Sequence, residues 1–347
     1  MLYFAMMTTA IVSVAGWGPI KDAVFRETRI VQDLAMFNFR EIIDNSDQLW
    51  AVVHVRPDPR SGLERRIVTE IRGETGEIVS VPGGRYVTVF SGSYELITTL
   101  SGAATDQSSD YQLELPSGGG GTGGTIAPKK GHHPYVPLFI DGGVAICRIV
   151  EDATGREKFP YVILIPAEWK DFVKPALEYL RDNSRLFEPN GARVNRVALR
   201  ELVDDENPLL SAAALRTLAH GGELDNIVTT ERARSTRGIR QALSIFVALR
   251  YGAQDDLDGF ETQVGEFVDT AENVGQVRAV ALGAWAASND IHAIWGTRER
   301  EQHSARLITA KNLLGKIDAR ERTPRSTGKD IKYVNEILEL SGRRRGK

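Results

Sequence analysis

Hydrophobic positions along this 347-residue chain change period near its middle. Before residue 166 they alternate over short runs bounded by Gly, Pro and Asp. Leu49–Val55, Arg66–Ile71, Glu77–Val81, Tyr86–Phe90, Tyr94–Ile97, Tyr135–Ile140, Val144–Val150 and Tyr161–Ile165 read as strands. Short strands at such spacing predict an antiparallel sheet, either a small barrel or a sandwich. Pro82-Gly83-Gly84 reads as the stop of one strand. One helical pattern precedes them, from Val31 to Asp47, with Leu34, Phe37, Phe39, Ile42 and Ile43 three to four residues apart.

After Glu168 the period is that of helices. Segments 171–181, 197–203, 208–220, 236–251, 273–287, 302–317 and 332–340 each carry an apolar stripe. Pro208 at a first turn and Gly221-Gly222 past an end follow the usual asymmetry of helix termini. The fold class predicted is α+β and multi-domain: an N-terminal antiparallel β-barrel or β-sandwich-like domain, then a C-terminal all-α helical array. The expected divisions are residues 1–20, a signal peptide or anchor; 21–166, a β-rich domain; 167–341, all-helical; and 342–347, a basic tail. Within the β-rich domain, 103–134 reads as a long flexible loop, because it is polar and contains SGGGGTGGT from Ser117 to Thr125.

Three helical segments look alike. LLSAAALRTLAHGG, IRQALSIFVALRYG and VRAVALGAWAASND each close with Gly or Asn and keep small residues on one face. They recur at intervals of about 30–40 residues and resemble HEAT-type α-solenoid repeats. The resemblance covers Asn195 to Ile317 and implies helix pairs stacked into an extended surface that takes protein partners. The N-terminal half resembles the OB-like β-modules that precede helical repeats in some exported bacterial proteins. The residues that carry this are Arg40–Asp47 and Val81-Pro82-Gly83-Gly84.

Composition narrows the chemistry. The net charge of −3 supplies no overall positive field for nucleic acid. The single cysteine, Cys147, excludes an internal disulfide and a Cys-based zinc site. No two histidines stand four apart as a helical zinc site requires. The glycine run lacks the Gly-Lys-Ser/Thr that opens a phosphate-binding helix. Residues 2–20 carry no charge, and Ser13-Val14-Ala15 fits a cleavage site before Gly16, so export to the periplasm or beyond stands beside a cytoplasmic location.

No catalytic, cofactor or metal residues are assigned. The residues singled out for a partner or ligand are His132, His133 and Tyr135 beside the glycine run, and Arg237, Arg240, Trp295 and Arg298 among the helices. The expected function is a non-enzymatic binding or scaffold protein that meets a protein partner through its helices. Two alternatives stand beside it: a β domain gated by the glycine-rich loop that binds a ligand or acts as an enzyme, and weak nucleic-acid contact through the arginine-rich face.

Overall fold

A computed structural model describes residues 19–36, 38–59, 64–72, 78–102, 108–116, 142–151, 157–188, 191–224, 232–252, 257–271, 274–292, 303–321 and 329–342. The chain divides into two compact units: residues 44–170, and residues 18–43 together with 171–347.

The first unit is a six-stranded antiparallel sheet of β1 (Leu49–Pro57), β2 (Glu64–Arg72), β3 (Ile78–Ser101), β4 (Ser108–Pro116), β5 (Gly143–Glu151) and β6 (Glu157–Ile165). Its order is β2-β3-β1-β5-β6, with β4 also on β3. Ser93, Tyr94 and Glu95 of β3 pair with both β1 and β4, and Val87, Thr88 and Val89 with both β2 and β4. A strand residue has one partner on each side, so β1 and β2 follow one another along one edge of β3. β4 takes the other edge.

β1 and β5 are buried along most of their length, through Trp50, Ala51, Val52, Val53, Ala145, Ile146 and Cys147. Burial of consecutive residues means that both faces of the central strands are covered. The rings of Tyr94 and Tyr111 meet Phe159 edge-on at 5.4 and 5.8 Å, which brings β3 and β4 to β6. The sheet therefore curls, yet β4 and β6 share no ladder and it is not a closed barrel.

Two expectations need correction. Pro82-Gly83-Gly84 does not end a strand but lies inside β3, where the register against β2 shifts between Val68 and Glu70. A bulge tolerates a proline without a backbone N–H and glycines without side chains. Part of the predicted loop 103–134 is a strand, β4. Tyr111, Leu113 and Leu115 alternate there as a half-buried strand requires, and Tyr111 is buried.

The second unit is helical: α1 (Pro19–Met36), α2 (Arg40–Asp44), α3 (Val173–Asp182), α4 (Gly191–Val194), α5 (Arg196–Val203), α6 (Pro208–His220), α7 (Gly238–Tyr251), α8 (Leu257–Thr270), α9 (Val274–His292), α10 (Ser304–Glu321) and α11 (Lys329–Leu340). Every residue of α7 from Gln241 to Leu249 is buried, which marks a helix surrounded by others. α7 lies against α6 and α9, and α9 also against α10 and α11. Gly283 of α9 permits a close approach to α7. A Cβ there would stand 2.5 Å from the Ala242 carbonyl oxygen and 2.7 Å from Ile245 Cβ on α7.

α1 belongs with these helices although the β unit separates it from them in sequence. It touches α6, α7, α9 and α11, and buries Val24, Ile30, Val31, Leu34 and Ala35. Polar contacts fix its position. Gln32 donates through Nε2 to the Ala286 carbonyl at 3.1 Å. Arg278 on α9 makes a two-pronged contact with Glu27 at 2.7 and 2.9 Å and a third with Asp330 at 2.9 Å. Tyr333 donates to the same Glu27 at 2.7 Å, and its ring lies 3.9 Å beneath the Arg278 guanidinium. Reading the chain in order groups residues 21–43 with the strands. The apolar stripe of α1 and the anion at Glu27, matched to α9 and α11, account for their place among the helices.

Candidate functional site

Sequence singles out arginines of the helical unit, Arg237 and Arg240 among them. A helix leaves its last carbonyls without intrahelical partners. Here arginines from neighbouring segments supply donors to several such ends. Arg216 donates to Met36 O at the end of α1. Arg306 donates to Leu249 O and Gly252 O at the end of α7, at 3.3 and 2.5 Å. Arg320 donates to Val268 O and, at 2.6 Å, to Ala271 O at the end of α8.

The end of α5 takes two. Arg232, 2% exposed, donates to Val203 O and Ser211 Oγ, and contacts Asp204 at 3.1 Å. Burial, with the nearby Arg240 adding, pushes its guanidinium down to about 10, and Asp204 opposes the shift. It remains charged at neutral pH. Arg240 donates to the carbonyls of Asp205 at 2.5 Å and Glu206 at 3.4 Å. Asn207, the next residue, caps α6 by accepting from the Leu209 and Leu210 amides at 3.0 and 3.4 Å.

Of the singled-out residues, Arg240 is thus engaged in holding the link from α5 to α6. Arg237 is exposed and donates to Arg234 O and Thr236 O, within its own turn, at 2.8 and 2.9 Å. His132, His133, Tyr135, Trp295 and Arg298 lie outside the described residues.

A second feature was not singled out from sequence. Val194 and Val197 are 81% and 72% exposed, the two most exposed large hydrophobic residues among those described. They stand three residues apart across the junction of α4 and α5. Leu199, Leu202 and Val203 form the buried face of α5. At about 100° per residue, Val197 lies roughly 160° around the helix from Leu199. Its phase therefore carried the signal: an aliphatic residue on the polar side of a short helix. Arg193 beside it is exposed, and Arg196 pairs with Glu223 at 3.2 Å. A second apolar line runs along α3, where Phe172, Pro175 and Tyr179 are exposed at spacings of three and four.

A cleft in the same unit is lined by Phe39, Ile43, Leu180 and Phe187, together with Arg40 and Arg216. Its volume is about 370 Å³ counted out to open solvent. Arg40 reaches Glu188 at 3.6 Å. Near Arg216, the His220 and Tyr251 rings meet at a tilt of 38° with centroids 5.1 Å apart, and Arg250 contacts Asp290 at 2.6 Å. Burial, then Arg216 and Arg250, holds the His220 imidazole below its ordinary value.

In the β unit, burial drives the Cys147 thiol far above its usual value, so it stays protonated and unreactive. Among the described residues no group of three or more His, Cys, Asp and Glu could hold a metal ion. Nor is any helix among them long and apolar enough to cross a membrane. No protein family matches the chain, and neither the curated proteins nor the solved structures include a significant match to it.

Proposed function

We propose that this is a non-enzymatic binding or scaffold protein whose helical unit docks a protein partner through the α4–α5 junction. The observation that carries the reading is the exposure of Val194 and Val197. Aliphatic side chains held open on a rigid, internally packed helix are suited to anchoring a partner. Arg193 beside them favours a partner that sets acidic residues around an apolar centre. A HEAT-like stacking of α6 to α10 would extend this surface, as helical repeats do. The many arginines bound to helix ends support protein contact over nucleic-acid contact. Each would have to give up a carbonyl in order to meet a phosphate.

Site-specific photocrosslinking tests the reading. A photoreactive residue at position 197 in the native cell should give one discrete adduct. Val194→Asp should abolish that adduct without changing the melting temperature. Absence of any adduct, or an adduct indifferent to Val194→Asp, contradicts the reading.

Export belongs to the same proposal. Residues 1–20 act as a signal peptide or anchor, and the N-terminal sequence of the mature protein should begin at Gly16 if they are cleaved.

A further inference from the structure

The β2–β3 hairpin extends past the rest of the sheet. β1 reaches β3 only from Gly92 onward, and β4 only from Val87 onward. Residues 78–86 of β3 therefore pair with β2 alone among the described residues. On its other edge β2 has no strand partner among them. Among the described residues the result is a two-stranded ribbon with two open edges. At about 3.4 Å per residue, β2 runs for roughly 30 Å. A two-stranded ribbon is marginally stable by itself, and an open edge offers unpaired N–H and C=O groups along its length.

The sequence of β2 says what would fit that edge. It reads Glu-Arg-Arg-Ile-Val-Thr-Glu-Ile-Arg from Glu64 to Arg72. Consider a second β2 laid antiparallel against it, with a two-fold axis at Val68. Glu64 then stands opposite Arg72 and Arg66 opposite Glu70, and symmetry gives each pair twice. Arg65 meets Ile71, Ile67 meets Thr69, and no like charges are opposed. Sliding by one residue in one direction keeps only the Arg65–Glu70 pair. Sliding in the other sets Arg65 against Arg72. Parallel pairing in register sets every charge against its like. Directly opposite residues are the main source of side-chain selectivity in an antiparallel pair, so this one register is selected over its neighbours.

We propose that β2 joins two copies of this chain edge to edge, in this antiparallel register about Val68. The contact is isologous: the same strand is used by both copies and closes on itself, so association stops at the dimer. It makes no use of the α4–α5 face and stands or falls separately from the partner reading.

Sedimentation of the full chain at low salt tests it. The native protein should sediment at twice the 38.2 kDa chain mass. Two double variants are then compared. E64K/E70K makes the four mutually paired positions 64, 66, 70 and 72 all basic, and R66E/R72E makes those four all acidic while Arg65 is left in place. Each alone should raise the dimer Kd by roughly tenfold or more. Mixed together they should form a heterodimer at least as tight as the native dimer. Arg66→Gln, which removes one charge without reversing it, should weaken the dimer in the same sense and serves if a double variant fails to fold. A native chain that stays monomeric up to about 100 μM overturns the proposal. So does a dimer whose Kd is unmoved by these substitutions.

Discussion

Arg232 shows how a charged side chain becomes part of a core. Its guanidinium is buried, and two of its donors serve Val203 O and Ser211 Oγ. Ser211 passes the link on by donating to Val203 O at 2.8 Å. Arg232→Met keeps much of the volume and removes the donors. We expect a loss of about 2–3 kcal/mol, read from urea unfolding, because two hydrogen bonds from a charged donor are lost and each contributes about 1.5–3 kcal/mol, although Val203 O keeps the Ser211 hydroxyl and the cost of burying the charge is relieved. Arg237→Met, which frees two exposed carbonyls, should cost less than about 0.5 kcal/mol in the same assay.

His220 yields a prediction in pH. Its imidazole is held below the ordinary value in the folded chain, chiefly by burial. Well above pH 6.5 it is neutral in both folded and unfolded chains and contributes no pH dependence. As pH falls through about 6.5, the unfolded chain takes up a proton that the folded chain resists, and stability declines. His220→Phe keeps a ring against Tyr251 and removes the titration. The melting temperature of the variant should therefore fall less steeply than that of the native protein between about pH 7.5 and 5.5. Parallel slopes would contradict the assignment.

Among the elements, the pair of α7 and α9 is sensitive to a single added group. Gly283 stands where any side chain would strike the backbone carbonyl of Ala242. Gly283→Val must force the helices apart, and we expect a destabilisation of at least about 3 kcal/mol by thermal or denaturant unfolding. The same closeness explains why these helices could be read from sequence. Runs such as Ala212-Ala213-Ala214 and Ala279-Val280-Ala281 are buried where helices pack, and Pro208 with Gly221-Gly222 marks both ends of α6.

α8 was harder to read, because only Leu257, Phe260, Val264 and Val268 mark its buried side. Sequence divides β3 because Pro82-Gly83-Gly84 is a stop signal locally, whereas a bulge opposite β2 absorbs it in the sheet. β4 was hidden by the polar and glycine-rich residues around it, although Tyr111, Leu113 and Leu115 held the period. Of the singled-out arginines, composition showed that they cluster but not that carbonyls of neighbouring helix ends occupy them. That depends on which helix ends come together, and local sequence does not carry it. Val194 and Val197 were legible in principle, as apolar residues out of phase with the buried face of α5.

At the scale of the molecule, the helices form one core from two distant stretches of chain, with a β unit inserted between them. α1 is held by apolar burial along Val24, Val31 and Leu34, and by the Glu27–Arg278–Asp330–Tyr333 cluster. A binding surface at α4–α5 requires this core to be rigid, so the place of α1 underlies the functional reading as well as the fold. Native-state hydrogen exchange on the full chain tests it most directly. Amides of α1 from Val24 to Ala35 should open with the same free energy as those of α7 and α9, as members of one cooperative unit. Exchange of α1 at the rate of a fraying terminus, while α7 and α9 stay protected, would contradict the account.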